Sequence, residues 1–182
     1  LNRQTVESRR CISQAEILRN GIWLRLRTHL IVGIGLSSFL SNLIVRDLFD
    51  VIVIILAGGL SSILPDTDIL LRVFNREAHR SAISHSLGGS LIIGFVFLLA
   101  ATFLTLTGFT RVPIDSYLAL FFICSVSAFS HVALDALTVR GVVLFWPFSR
   151  RIINGRVKYD GLVANFLLSL LGLTLLALAI IT

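Results

Sequence analysis

The chain has 182 residues, of which 55% are hydrophobic and only 14% charged, with a mean hydropathy of +0.91. A soluble domain of this length carries about 25% charged residues, so a water-soluble globule is excluded and the solvent for most of this chain is lipid. The formal net charge of +6 would suggest a nucleic-acid partner in a soluble protein; here the charges lie between apolar runs, where they mark loops against anionic lipid headgroups and imply no specific nucleic-acid partner.

In chain order, residues 1–27 form a basic cytoplasmic or interfacial segment, in which Val6, Ile12, Ile17 and Leu18 predict a weak amphipathic face on the membrane surface. No signal-peptide cleavage site follows the first apolar run, so that run is expected to remain in the protein. Residues 28–182 are expected to form a single helical membrane domain. Five spans are predicted, at about 29–45, 48–64, 83–109, 117–138 and 162–181, each near the roughly 20 residues that cross a bilayer. The first two are short and joined by Arg46-Asp47, as in a helical hairpin of full spans, with a partly re-entrant pair as the alternative. The fold class is therefore all-α, a polytopic helical membrane protein with about five transmembrane helices.

The basic residues orient the spans. Arg3, Arg9, Arg10, Arg19, Arg25 and Arg27 precede the first; Arg72, Arg76 and Arg80 lie between the second and third; Arg140, Arg150, Arg151, Arg156 and Lys158 lie between the fourth and fifth. Only Arg46 and Arg111 fall on the opposite side. The positive-inside rule then places the N-terminus in the cytoplasm of a cell whose plasma membrane holds the protein. Trp23, Trp146 and Tyr159 flank the same side, where amphipathic aromatics settle. Small residues recur within the spans, including Gly33, Gly35, Gly58, Gly59, Gly88, Gly89 and Gly94, and imply close helix packing. Cys11 and Cys124 are expected to stay apart, and no CxxC occurs.

Under this topology all four histidines fall on the cytoplasmic side: His29 at the start of the first span, His79 and His85 around the start of the third, and His131 inside the fourth. Asp66 and Asp68 follow the second span. Asp135 is four residues after His131, so both project from one face of a helix. Ionisable residues inside a span are costly and point to function. Histidine with carboxylate and no nearby thiolate is the donor set of divalent sites of the Zn or Mn type. His29, Asp66, Asp68, His85, His131 and Asp135 are the candidate metal ligands. Arg80 offers a bidentate grip on phosphate, with Arg140 a second candidate. Each piece also has a plainer reading: Pro65-Asp66-Thr67-Asp68 as a capped turn, His131 and Asp135 as an intrahelical hydrogen-bonded pair, Ser86 and Thr138 as hydroxyls bonded to backbone.

These residues in this order resemble the YdjM-like, LexA-regulated family of membrane-bound proteins described as metal-dependent hydrolases. The likeness runs through Thr28-His29, Leu64-Pro65-Asp66-Thr67-Asp68, His79-Arg80 with Ser84-His85-Ser86-Leu87, and His131-x-x-x-Asp135 with Thr138 and Gly141, and closes at Pro147-Phe148. Two positions depart from the pattern. Ile69 stands where the family often has His, which removes one donor, and Ser84 stands where it often has Thr, which keeps a hydroxyl. The resemblance implies a hydrolase that uses a divalent metal ion; the expected place of its site, at the cytoplasmic leaflet and about headgroup depth, points to a lipid-borne ester or phosphoester as substrate and to membrane lipids as partners. His79 would be a ligand or the proton donor to the leaving group, Arg80 would bind phosphate, and Asp68 would be the general base. Two alternatives stay open: a metal carrier or sensor, disfavoured by the lack of His among the outer residues Arg46, Asp47, Asp50, Arg111 and Asp115, and a structural protein whose polar residues lock the helices together. Intramembrane proteolysis has no HExxH to support it.

Overall fold

The computed structural model describes residues 26–67, 82–109, 114–157 and 161–181. The amphipathic face expected at Val6, Ile12, Ile17 and Leu18 lies outside the described residues, as do Asp68, His79 and Arg80. Among the described residues the structure is helical, with strand pairing reduced to two isolated bridges. The helices are α1 (residues 26–44), α2 (Leu48–Ile63), α3 (Leu87–Leu106), α4 (Ile114–Ala136) and α5 (Leu162–Ile181). Four of the stretches are long and apolar enough to cross a membrane: Leu48–Thr67, Leu87–Leu106, Ser116–Ala136 and Leu162–Ile181. The protein is thus a polytopic helical membrane protein.

Local chemistry sets the helix ends. Residues 45–47 separate α1 from α2, and the Asp47 side chain caps α2 by accepting from the backbone N–H groups of Phe49 and Asp50. At the other end of α2, Pro65 stops the α-helix and the chain tightens into the 3-10 turn Leu64–Thr67. Ser86 caps α3, its hydroxyl accepting from Gly89 N–H at 3.0 Å. The third span therefore starts later than residue 83, and His85 sits in the turn just before the helix and not within it.

The packing is inverted relative to a soluble protein. Large apolar side chains such as Phe49, Phe95, Phe103, Val163 and Phe166 point outward and are exposed, as lipid-facing residues are. The interior holds small and polar side chains: Ser37, Ser41, Ser61, Ser62 and Ser127 are fully buried. These let backbones approach. α4 is the central helix, packed against both α2 and α3. Gly33 lies against Ser62, and Gly58 against Ser37 and Ser127, which draws α1, α2 and α4 together. Gly35 and Gly172 meet backbone to backbone, which joins α5 to α1. Buried Cys124 is a free thiol, as expected of a cysteine deep in a span.

The 137–157 segment folds back on itself. Val142 and Ile153 exchange backbone hydrogen bonds at 3.0 and 2.9 Å. Gly141 turns the chain with φ +66, a conformation that glycine alone adopts without strain. The carbonyls of Leu144 and Trp146 then accept from the N–H groups of Leu87 and Gly88 at 2.8 and 3.1 Å. Those are first-turn donors of α3 that the helix itself cannot satisfy. The segment is thereby pinned beside His85, while Arg140, Arg150, Arg151 and Arg156 remain exposed.

Candidate metal centre

Alternation of helix direction collects the starts of α1, α3 and α5 and the ends of α2 and α4 at one end of the bundle. His29, Asp66, His85, His131 and Asp135 all lie there, and all five are buried, with His85 and His131 fully so. One donor atom from each of Asp66, His85, His131 and Asp135 falls within 4.8 Å of the other three. This group could hold a metal ion. His131 is five residues from the end of α4, or about 8 Å along the axis, so the site lies close to one end of the bundle.

Each donor is aimed by its own element. His131 and Asp135 share a face of α4. The carbonyl of Ser62 is one of the last four of α2, which lack intrahelical partners. It lies 2.7 Å from His131 Nδ1. A carbonyl only accepts, so Nδ1 carries the ring proton and Nε2 of the neutral ring carries the lone pair. His131 Nε2 makes no hydrogen bond among the described residues and points toward Asp66 Oδ1 at 3.7 Å. The intrahelical His131–Asp135 hydrogen bond that the sequence allows is therefore not formed. His85 is held similarly, with Nδ1 2.9 Å from the Ser84 hydroxyl. Its Nε2 faces Asp66 Oδ1 at 3.7 Å and Asp135 Oδ2 at 3.6 Å. An outer hydrogen bond that orients a histidine is the usual support of a metal ligand.

The spacing is informative. Separations of 3.6–3.7 Å exceed the roughly 2.7–3.2 Å of a nitrogen–oxygen hydrogen bond. Two ligands each about 2.1 Å from a tetrahedral ion stand about 3.4 Å apart. The donors are thus spaced as ligands around a common centre. Charge agrees: two carboxylates buried together match the charge of a divalent cation, and burying them without compensation is costly. His29 sits at the edge of the group. Its ring stacks on His131 with centroids 3.9 Å apart, and its Nε2 lies 3.9 Å from Asp135 Oδ1.

Of the residues singled out by sequence, His29, Asp66, His85, His131 and Asp135 are brought together. Arg140 lies exposed in the 137–157 segment. Ser86 and Thr138 bond backbone, as their plainer reading held: Ser86 caps α3, and Thr138 Oγ1 donates to the Asp135 carbonyl at 2.7 Å. One residue was missed. Asn165, in the first turn of α5, is buried and lines a cavity together with His29 and Asp135. Its signal was available, since it is the most polar side chain of an otherwise apolar span.

The role of Ser84 gives a direct test. Ser84→Ala removes the partner of His85 Nδ1 while leaving every donor in place. Loss of such an outer hydrogen bond costs about 10–100-fold in metal affinity. Competition with a chelator should show a weakening of that size, and an unchanged affinity would mean that Ser84 does not orient His85 toward an ion.

A family model described as YdjM inner membrane protein matches residues 24–181. Comparison with curated proteins and with solved structures returns no match. The family match runs from just before α1 to the last residue of α5, so it takes in every helix that contributes to the cluster. The chain belongs to the YdjM inner membrane protein family and is an integral protein of the inner (plasma) membrane.

Proposed function

We propose that the protein is a metal-dependent hydrolase embedded at the cytoplasmic leaflet, acting on a lipid phosphoester. The observation that carries this reading is the convergence of Asp66, His85, His131 and Asp135 on one buried point close to one end of the bundle. Two histidines and two carboxylates, with no thiolate among them, suit Zn or Mn. A divalent ion in such a site polarises a phosphoryl oxygen and lowers the pKa of bound water. The protein residues supply the rest. The Ser62 carbonyl holds His131 with its Nε2 lone pair inward, and Ser84 orients the His85 ring so that its Nε2 faces the two carboxylates. His29, stacked on His131, adds a further donor or steadies Asp135. Asp68, His79 and Arg80 complete the proposal as general base, proton donor to the leaving group and phosphate grip respectively. Their adjacency in sequence to Asp66 and His85 supports those roles.

The test is metal content and turnover on the same detergent-purified sample. About one divalent ion per chain is expected by mass spectrometry. Release of phosphate or headgroup from phospholipid or prenyl phosphate should stop on chelation and return with Zn²⁺ or Mn²⁺. Stoichiometric metal without hydrolysis of either lipid class would sink the hydrolase reading and leave a metal-binding protein. Absence of metal after reconstitution would leave a structural role for the polar residues.

A further inference from the structure

A cavity of about 200 Å³ opens beside the cluster, between the start of α1, the end of α4 and the start of α5. Most of its wall is hydrocarbon, from Leu134, Leu137, Ala164, Leu167 and Leu168. Its polar residues are Thr28, His29, Asp135, Thr138 and Asn165. His29 and Asp135 belong equally to the candidate metal centre, so the cavity and the centre share a wall. At its rim Leu137 and Leu167 are 53% and 57% exposed, on the apolar outer surface. Exposed apolar side chains on a membrane-spanning bundle face lipid, so a mouth between these two opens toward the bilayer.

We infer that this cavity is a lateral entry site for the hydrocarbon tail of a membrane phospholipid, which brings the lipid's phosphate to the metal centre on the side where His29 lies. The inference deepens the proposed hydrolase reading, on which the role of the headgroup rests; tail binding stands on the cavity itself. Three observations favour a lipid tail over another occupant. The cavity joins an apolar wall to a polar end, which matches an amphiphile lying with its head at the interface. It is smaller than the roughly 300–1,000 Å³ that encloses a whole drug-sized ligand, so it takes a stretch of chain and not an entire molecule. Its wall also runs inward along the membrane normal, since Leu168 is three residues, about 4.5 Å, deeper in α5 than Asn165.

Asn165 sits where head and tail would join. Its Nδ2 donates to the Gly161 carbonyl at 3.0 Å, which holds the side chain in place at the start of α5. The amide borders the cavity beside His29 and Asp135, at the end where the polar linkage of a lipid would lie, and Asn165 is assigned that positioning role.

The experiment uses the full chain in phosphatidylcholine vesicles doped with phosphatidylglycerol that carries a diazirine near the carboxyl end of one acyl chain. After illumination, labelled positions are mapped by peptide mass spectrometry, and metal content is measured on the same sample. Labelling at Leu134 and Leu168 is expected to be saturable by unlabelled phosphatidylglycerol, whereas labelling at the outward-facing Phe95 and Phe103 should not be. Ala164→Phe, or Leu168→Trp from the neighbouring position, fills the cavity and should cut labelling at Leu134 at least tenfold with metal content unchanged. Label at Leu134 that does not saturate, or that persists in both variants, would overturn the inference. Should neither variant fold, saturation in the wild type decides alone. Failure of the hydrolase reading appears separately, as absent turnover or absent metal, and leaves the labelling result interpretable.

Discussion

Asp135→Asn is expected to reduce bound divalent metal from about one per chain to below one tenth, and to reverse its effect on stability when metal is withdrawn. Asp135 offers a donor to the group formed with Asp66, His85 and His131. Perturbing only the outer support of a ligand costs about 10–100-fold in affinity, so loss of the charged ligand itself should exceed about 100-fold. The stability effect follows from charge. With a divalent ion bound, the two carboxylates are neutralised and the asparagine variant should melt at a lower temperature than the wild type, because bound metal stabilises only the protein that binds it. Without metal, the carboxylates of Asp66 and Asp135 face each other within 4.8 Å. Two like charges at that distance repel by about 3 kcal/mol at an effective dielectric constant of about 20. Asparagine removes that repulsion, so under chelation the variant should be as stable as the wild type or more so. Thermal unfolding of both proteins, with and without chelator, checks this directly. A variant equally destabilised under both conditions would show that Asp135 locks helices together and is not a ligand.

The second large effect is expected from Gly172→Leu. A side chain at position 172 meets the backbone of Ile31 and Val32 in α1. A flexible side-chain end can turn away, but backbone cannot, so the two helices must separate. Overpacking of a well-fitted interface costs about 1–3 kcal/mol for small additions, and a leucine driven against backbone should lie at or above the top of that range. The expected result is a marked loss of thermal stability in detergent, with α5 released from α1. The donors Asp66, His85, His131 and Asp135 come from the 3-10 turn after α2, from α4 and from the turn before α3, so metal content should be kept while lipid labelling in the cavity is lost. Loss of metal together with stability would mean that α5 supports the centre itself.

Much of this architecture is legible in the amino-acid sequence. A lipid solvent demands apolar runs whose backbone groups are satisfied within the helix, and those runs placed α2, α4 and α5 to within a few residues of the observed bounds. Helical periodicity put His131 and Asp135 on one face, and alternation of helix direction put His29, Asp66, His85 and Asp135 at one end. The start of α3 was misplaced because Ile83, Ser84 and His85 read as helix by hydropathy, while the capping hydroxyl of Ser86 decides where the first turn begins.

What the amino-acid sequence by itself determined was the class of fold, the end of the bundle that carries the chemistry and the family. What only the tertiary structure decided was which side chains meet. The rotation of each helix is not written in its hydropathy, because lipid and core are both apolar and leave little contrast between the faces. Rotation is set instead by close approaches such as Gly33 to Ser62, Gly58 to Ser37 and Gly35 to Gly172. Those contacts turn Asp66 and His131 toward each other and bring the Ser62 carbonyl within 2.7 Å of His131 Nδ1. They also set Asn165 of α5 beside His29 and Asp135. These are pairings between residues tens of positions apart, and only packing could select them.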